Sequence, residues 1–284
     1  TAVEWNLTSG TMSELPGFAG FTSSTALGIS SNGAIVVGWA SNETESSAVM
    51  WTPFGHYKIA DFLERYYGID LSDWDGLISA SGVAEASQDR FSIVGTGLRD
   101  GREEAFLLSD LNVMQTRWLD GPAGNLWDAA GNWDNGQPFS SSDAVFGPST
   151  VTDVSITSSV DVSTIRMLPD APAYTFTVEN GGVLSVGVFE PDLRTGLENL
   201  SAHRPQFVLE SGGTLQVGFQ THFEQTDFMI RGSTSWIGMS GASESSFVIG
   251  DGGQFQAVGE NVFSDSQFTI QSGGWMNVYS NATF

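Results

Sequence analysis

Three aspartates between residues 70 and 76 are the first residues whose types and spacing suggest chemistry. Asp70, Asp73 and Asp75 stand in the run Asp-Leu-Ser-Asp-Trp-Asp-Gly, and carboxylate oxygens are the ligands that calcium prefers. The run lacks the acid spacing and the distal Glu of an EF-hand loop. It therefore predicts, at most, adventitious calcium at an acidic turn, and no dedicated metal site or calcium switch.

Paired carboxylates are a second source of chemistry. Asp73 with Asp75, and Glu103 with Glu104, have the residue types that act as acid and base in glycoside hydrolysis. Adjacent acids in turn-rich sequence are ordinarily solvated, which favours a non-catalytic interpretation. Polysaccharide cleavage by a lyase or hydrolase remains the alternative.

Other catalytic and cofactor patterns are missing. The chain has no cysteine, no Gly-x-Ser-x-Gly motif and a single lysine, Lys58. The three histidines (His56, His203 and His222) share no zinc-binding spacing. The sequence thus predicts no catalytic residue, no cofactor-binding residue and no resident cofactor.

Tryptophans cluster between residues 116 and 148. Trp118, Trp127 and Trp133 stand among Gly, Asn, Asp and Ser. Exposed indole faces stack on sugar rings, so a glycan-binding platform is one interpretation. The favoured interpretation is a cap that shields the open end of the following domain from water and from strand addition.

The charge of the chain limits its partners. Acidic residues number 33 and basic residues 10, which gives a net charge of −23. This field repels phosphate groups, so we expect neither nucleic acid nor an anionic membrane surface as a partner. No apolar run reaches the ~18 residues of a membrane-spanning helix.

Repeats define the second half of the chain. A unit of the form Phe-x-Val/Ile/Leu, then Gly-Gly, then Leu-x-Val recurs roughly every 20 residues. It begins at Phe176, Phe207, Phe247 and Phe268, with a degenerate copy at Phe228. Two short strands joined by a glycine corner fit one coil of a parallel β-solenoid better than a β-sandwich, the alternative. The longer first interval predicts a loop insertion over Phe189–Arg204.

A different repeat occupies the first 112 residues. Ala-x-x-Trp and Ala-Leu-Gly-Ile-Ser segments alternate there, and Tyr57–Tyr67 is predicted to be the one helix because its apolar residues have helical spacing. Gly28-Ile29-Ser30, Val37-Gly38 and Ala48–Trp51 resemble the extracellular HAF-type repeat of bacterial surface proteins. The region from Ala84 to Phe91 departs from that pattern. The resemblance implies blade-like β units and a secreted or cell-surface location, but no chemistry.

The junction and the coils carry a second resemblance, which covers residues 116–284. Asn132-Trp133-Asp134-Asn135-Gly136-Gln137-Pro138 and Asp143-Ala144-Val145-Phe146 look like the first segment of autotransporter-type passenger solenoids. The resemblance implies a β-solenoid and a bacterial surface.

These observations predict an all-β chain in three parts. A HAF-like β-repeat domain spans residues 1–115, a Trp-rich junction or cap spans 116–148, and a parallel β-solenoid (β-helix) of about five coils spans 149–284. The predicted function is that of a non-enzymatic, structural or adhesive protein outside a bacterial cell. We expect it to continue into a longer chain or to self-associate head to tail into filaments or a layer. The alternative is a carbohydrate-binding or polysaccharide-cleaving β-helix, with a surface glycan as the partner.

Overall fold

The computed structural model describes residues 1–87, 90–190, 204–218, 222–237, 241–279 and 283. Strands make up 55% of the described residues and helix 5%, which confirms the all-β prediction. The chain divides into two compact units, Thr1–Met114 and Gln115–Phe284. Most of the predicted insertion at Phe189–Arg204 lies outside the described residues.

The first unit consists of antiparallel sheets. Its strands are β1 (Val3–Asn6), β2 (Thr11–Glu14), β3 (Ser23–Ile29), β4 (Val36–Ser41), β5 (Ser46–Thr52), β6 (Gly55–Lys58), β7 (Gly76–Ser87), β8 (Arg90–Arg99) and β9 (Arg102–Asn112). They form a β1-β2 hairpin, a four-stranded β3-β4-β5-β6 sheet and a three-stranded β7-β8-β9 sheet. Neighbours in sequence are neighbours in each sheet, as expected for short blade-like units.

The helix of the first unit, α1 (Ile59–Tyr67), is two residues shorter than predicted. Residues 57 and 58 instead complete β6. The apolar face of α1 is buried, and the helix ends at Gly68, whose φ of 58° and N–H bond to Glu64 form a left-handed C-cap.

The second unit is a parallel β-solenoid of about five turns. Its strands are β10 (Gln115–Arg117), β11 (Asp143–Phe146), β12 (Asp153–Ile156), β13 (Ser159–Met167), β14 (Thr175–Val178), β15 (Val183–Glu190), β16 (Gln206–Leu209), β17 (Thr214–Val217), β18 (His222–Glu224), β19 (Asp227–Ile230), β20 (Ser233–Ile237), β21 (Gly241–Ser243), β22 (Ser246–Ile249), β23 (Gln254–Val258), β24 (Val262–Ser264), β25 (Gln267–Ile270) and β26 (Trp275–Tyr279). A short 3₁₀ helix covers Ala130–Asn132.

Three parallel sheets surround the solenoid interior. The eight-stranded sheet has the order β10-β11-β13-β15-β17-β20-β23-β26, the six-stranded sheet β12-β14-β16-β19-β22-β25, and the three-stranded sheet β18-β21-β24. The sequence pattern predicted two strands per coil, whereas the last coils have a third. Residues 116–148, predicted as a separate junction, provide strands of the eight-stranded sheet.

A ladder of phenylalanines runs through the interior. Strand register pairs Phe176, Phe207, Phe228, Phe247 and Phe268 in successive coils. Their ring centroids are 5.1, 5.4, 4.5 and 4.4 Å apart, and the last two pairs are within 3° of parallel. The residue that marks each repeat in the sequence therefore forms one continuous stack.

In the coil of the degenerate repeat at Phe228, one large inward side chain is offset by smaller side chains around it. Trp236 occupies the inward position that Val217 holds in the previous coil and Ala257 in the next. Thr234, on the same strand, replaces the leucine of the previous coil, and Ala242 lies on the facing three-stranded sheet. Small residues beside the indole leave Trp236 fully buried, consistent with the close packing of protein interiors.

The two positions of the Gly-Gly corner require glycine for different physical reasons. The first has positive φ, for example 83° at Gly181 and 75° at Gly252, a conformation that other residues adopt at a cost. The second has an ordinary φ, but a Cβ at Gly182 or Gly253 would overlap a carbonyl oxygen of the preceding coil. The glycine corner that the sequence predicts therefore needs positive φ only at its first glycine.

A ladder of hydroxyl groups, buried at Thr226 and Ser245 and half-buried at Ser266, precedes the phenylalanines of the last three coils. Thr226, Ser245 and Ser266 stand two residues before Phe228, Phe247 and Phe268, in successive coils. The Thr226 N–H donates to Ser245 Oγ (3.1 Å), and the Ser245 N–H donates to Ser266 Oγ (3.2 Å). Each hydroxyl in turn donates to a carbonyl two residues earlier in its own coil.

Ser245→Ala is expected to lower the free energy of unfolding by about 1–2 kcal/mol, because it leaves the buried Thr226 N–H and the Ser243 carbonyl without their hydroxyl partner. Urea denaturation followed by circular dichroism measures the loss. Ser264→Ala, at an exposed strand position, is the control and should change stability by less than about 0.5 kcal/mol. Equal effects of the two substitutions would contradict a role for the ladder.

Candidate functional site

The three candidate tryptophans pack together inside the first coils of the solenoid. Trp118, Trp127 and Trp133 are only 2%, 0% and 3% exposed. The Trp133 ring centroid is 5.2 Å from that of Trp118 and 5.0 Å from that of Trp127. Phe146 contacts all three rings, so the cluster is continuous with the solenoid core.

Hydrogen bonds hold this cluster in place. Trp118 Nε1 donates to the Val151 carbonyl (3.1 Å), and Trp133 Nε1 donates to the Trp127 carbonyl (2.7 Å). Asn132, fully buried, accepts the Ala123 N–H and donates to two backbone carbonyls. A sugar cannot reach these ring faces, so the glycan-platform interpretation of the three tryptophans does not fit their burial. The interpretation of these tryptophans as a cap stays a prediction.

Asp120 forms hydrogen bonds with the loop of Ser149 and Thr150, beside the tryptophan cluster. Its Oδ1 accepts hydrogen bonds from the Thr150 N–H (2.5 Å), the Thr150 hydroxyl (2.8 Å) and the Ser149 hydroxyl (3.0 Å). These bonds, the Thr150 N–H foremost, hold the pKa of the Asp120 carboxyl below its usual value. The ionised form is therefore the one that the fold favours.

Acid is expected to destabilise the protein partly through Asp120. The pKa of Asp120 is lower in the folded state than in the unfolded state. Its ionised carboxylate therefore adds to the free energy of unfolding at pH values above the unfolded-state pKa of about 3.9, and this added stability is lost as the pH falls through the folded-state pKa. Asp120→Asn should lower the melting temperature at pH 7 and make it fall less between about pH 5 and about pH 2 than in the wild type. Glu43→Gln, at an exposed position of the first unit, is the control. Identical pH profiles for the wild type and Asp120→Asn would contradict this role.

The three candidate calcium ligands have separate structural tasks. Asp70 Oδ1 accepts the Ser72 N–H (2.8 Å), Asp75 Oδ2 accepts the Gly101 N–H (2.7 Å), and Asp73 forms an exposed 3.5 Å ion pair with Arg99. The Ser72 hydrogen bonds also lower the pKa of Asp70. Within the described ranges, no group of three or more His, Asp or Glu side chains could hold a metal ion. The geometry therefore explains these aspartates as turn and hairpin stabilisers.

The remaining acidic candidates are also separated from one another. Glu103 and Glu104 are adjacent and exposed on β9, and successive strand residues point to opposite faces. A different carboxylate, Asp143, is fully buried; its Oδ2 accepts Gln115 Nε2 at 2.9 Å and pairs with Arg166 at 3.2 Å. This polar group joins three strands of the eight-stranded sheet. The sequence analysis did not identify it, because its members are far apart along the chain.

The sequence analysis also did not identify a surface on the eight-stranded sheet. The inward residues of β15, β17, β20, β23 and β26 alternate with outward ones. We call the outward set the neutral face, because none of its members is charged: Val183, Ser185, Gly187, Thr214, Gln216, Ser233, Ser235, Ile237, Gln254, Gln256, Val258, Trp275, Asn277 and Tyr279.

Strand register orders the neutral face into rows. One row consists of amide and hydroxyl side chains in successive coils, namely Ser185, Gln216, Ser235, Gln256 and Asn277. A neighbouring row consists of Ile237, Val258 and Tyr279, which are 54%, 37% and 50% exposed. The sequence does contain a pattern that indicates this face, because the residue between the two inward positions of each of its strands is uncharged.

Open cavities occur among the described residues of the first unit, and two of them are large. One, of about 720 Å³, is lined in part by Trp39, Lys58, Asp61 and Asp75. The other, of about 640 Å³, lies beside Trp5, Leu27 and Ile29, which are 63%, 49% and 61% exposed. Neither brings the predicted acid pairs together.

No family model, no curated protein and no solved structure matches this chain. The fold alone therefore defines its class, which is a β protein with antiparallel sheets in its N-terminal part and a parallel β-solenoid in its C-terminal part. None of the helices in the described part of the chain is long and apolar enough to cross a membrane.

Proposed function

We propose that this protein is a non-enzymatic structural or adhesive protein of a bacterial cell surface, in which the solenoid is a rigid support. The observation that carries the proposal is the interior of the second unit. One buried cluster extends from Trp118 to Phe263, so the coils enclose packed side chains rather than a binding cavity. Such a unit is suited to displaying its outer faces.

An extracellular location is part of the proposal. It is supported by the likeness of residues 1–112 to HAF-type repeats and of residues 116–284 to autotransporter passengers. The net charge of −23 bears on assembly rather than on location, because a strongly acidic surface keeps exposed sheet edges of neighbouring molecules apart. Salt and divalent cations would screen that repulsion.

Self-association through the coil of β25 and β26 is the proposed mode of assembly. Phe268, Met276 and Val278 are only partly buried there, whereas their counterparts Phe247, Phe255 and Ala257 are at most 1% exposed. A strand from another copy would bury these side chains further. A heterologous contact of this kind that does not close into a ring continues into a filament or a layer.

Electron microscopy and light scattering over a range of NaCl and CaCl₂ concentrations test the assembly. We expect particles larger than a monomer when repulsion is screened. Ile270→Lys, at a 51% exposed position of β25, should abolish them because a lysine on an edge strand opposes strand addition. Gln206→Lys, three strands away in the same sheet, should not. Monodisperse particles under every condition would contradict assembly.

A reducing-end assay tests the absence of polysaccharide cleavage. The purified protein is incubated with neutral and acidic polysaccharides, and we expect no release of new chain ends. Release that disappears in Asp73→Asn or Glu103→Gln would contradict the non-enzymatic proposal and would favour the glycoside-cleaving alternative.

A further inference from the structure

We propose that the neutral face binds an extended, uncharged polysaccharide. The inference rests on the proposed adhesive function and names its ligand. It also replaces Trp118, Trp127 and Trp133, which are buried, with a different set of residues as the glycan contact. Four properties of the neutral face support it, namely its charge, its hydrogen-bonding groups, its exposed rings and its shape.

The charge of the neutral face differs from that of the whole chain. The protein carries a net charge of −23, yet no Asp, Glu, Lys or Arg occurs among the defined residues of this face, and the row of Ser185 meets a charge only beyond β15, at the exposed Asp161 on β13. Burying a charged side chain against an uncharged polymer would carry a desolvation cost without an ionic partner to offset it. An acidic polysaccharide would find no Arg or Lys here and would be repelled by the rest of the surface. The neutral face therefore favours uncharged polymers.

The hydrogen-bonding groups of the neutral face match sugar hydroxyls. A sugar hydroxyl both donates and accepts, as amide and hydroxyl side chains do. Gln216, Ser235, Gln256 and Asn277 repeat this chemistry in successive coils, about 4.8 Å apart. Hydrogen bonds between coils order the row at one end, where the Ser185 hydroxyl donates to Gln216 Oε1 at 3.2 Å.

Exposed aromatic rings complete the neutral face. Trp275 and Tyr279 are 42% and 50% exposed on β26, and such side chains combine a large apolar surface with a polar group. Asn277 Nδ2 donates to Tyr279 Oη at 2.6 Å, which restrains the ring. Sugar rings present C–H groups on their faces, so they can stack on these rings and on the adjacent Ile237 and Val258.

The shape of the neutral face favours a polymer over a single sugar. Small ligands bind in concave sites that bury most of their surface, and one face of a sheet offers no such enclosure. The face is about 19 Å wide from β15 to β26, at about 4.8 Å per strand. Several sugar units can therefore be in contact at once, and their individually weak contacts add.

Co-sedimentation of the 284-residue chain with insoluble polysaccharides tests the inference. We expect binding to at least one uncharged polymer among cellulose, chitin and (1→3)-β-glucan, and none to calcium alginate or calcium polygalacturonate gels. Tyr279→Ala should weaken binding about tenfold, and the double variant Gln216→Ala/Gln256→Ala about fivefold. All these residues are exposed or half-buried on the surface, so circular dichroism should show an unchanged fold.

Two matched controls accompany these variants. Gln267→Ala removes an exposed amide from the six-stranded sheet, and Trp5→Ala removes a 63% exposed indole from the first unit. Both should leave binding unchanged. Failure of every uncharged polymer to bind, or equal weakening by the controls, would overturn the inference.

The outcomes separate this inference from the proposed function. A protein that assembles but binds no uncharged polysaccharide overturns the inference and leaves the structural function intact. A dimer that Tyr279→Ala and Gln216→Ala/Gln256→Ala convert to a monomer, without glycan binding, makes the neutral face an interface between copies and also overturns it. Release of reducing ends from a bound polymer overturns the non-enzymatic proposal alone.

Discussion

Phe247→Ala should lower the free energy of unfolding by about 3–5 kcal/mol, the range measured for buried aromatic residues replaced by alanine. Phe247 is 1% exposed and stacks between Phe228 and Phe268, with centroid distances of 4.5 and 4.4 Å. Trp236 and Phe255 also pack against it in T-shaped geometry. The substitution removes these ring contacts and leaves a cavity that in-register coils cannot close without breaking their strand pairing.

Urea denaturation of the full chain gives the overall loss, and hydrogen exchange of peptides from β19 to β23 shows whether it is local to those coils. Phe247→Leu, which retains much of the volume, should cost about 1–1.5 kcal/mol. Phe268→Ala belongs to the same stack but is only partly buried, so we expect a loss of about 2 kcal/mol. Equal losses at Phe247 and Phe268 would contradict the importance of stacking on both sides.

Gly253→Ala is expected to destabilise the solenoid by about 3 kcal/mol, near the upper end of the usual cost of overpacking. A Cβ at Gly253 would overlap the carbonyl oxygen of Ile230 in the preceding coil. That carbonyl accepts the Gly250 N–H at 2.8 Å, so it cannot move aside without disturbing a hydrogen bond between coils. The backbone of one coil must move away from the other.

Two glycines in the same corner provide controls for this substitution. Gly252 has a φ of 75° and its nearest neighbouring atom is 4.0 Å from a Cβ. Gly252→Ala should therefore cost only the conformational strain of about 1–2 kcal/mol. Gly250 has an ordinary φ, and its nearest neighbour is 3.4 Å away, so Gly250→Ala should change stability by less than about 1 kcal/mol. Thermal or urea denaturation of the three variants ranks their losses of stability. A larger loss of stability for Gly252→Ala than for Gly253→Ala would contradict the expected ranking.

The periodic part of the fold could be predicted from the sequence, because one residue type recurs wherever coils stack. Phe176 and its successors marked the coils, and the glycine pairs marked their corners. The third strand of the late coils has no such mark. His222-Phe223, Gly241-Ala242 and Val262-Phe263 share one inward position but no common sequence. Three-residue strands of this kind are specified by the coils around them rather than by their own propensity.

The candidate sites were harder to predict, because exposure depends on packing between distant segments. Trp127 and Trp133 have the composition of a sugar-binding platform, and only the packing around Phe146 makes them inaccessible. Asp70, Asp73 and Asp75 are close in sequence but accept or pair with different partners. The neutral face escaped notice for the opposite reason. Its members are spread over about a hundred residues and become neighbours only through strand register.

The size of the Trp236 side chain also affects which coils can stack on each other. Chains built from near-identical repeats can pair out of step by one whole repeat, because each coil offers its neighbour almost the same surface. In the native register the indole lies between Val217 of the previous coil and Ala257 of the next. A shift by one coil would replace Ala257 with the larger side chain of Val278 as the neighbour of the indole in the next coil. The irregular coil therefore disfavours pairing that is out of step by one repeat, because the next coil in the native order offers an alanine to the indole and the coil after it offers a valine.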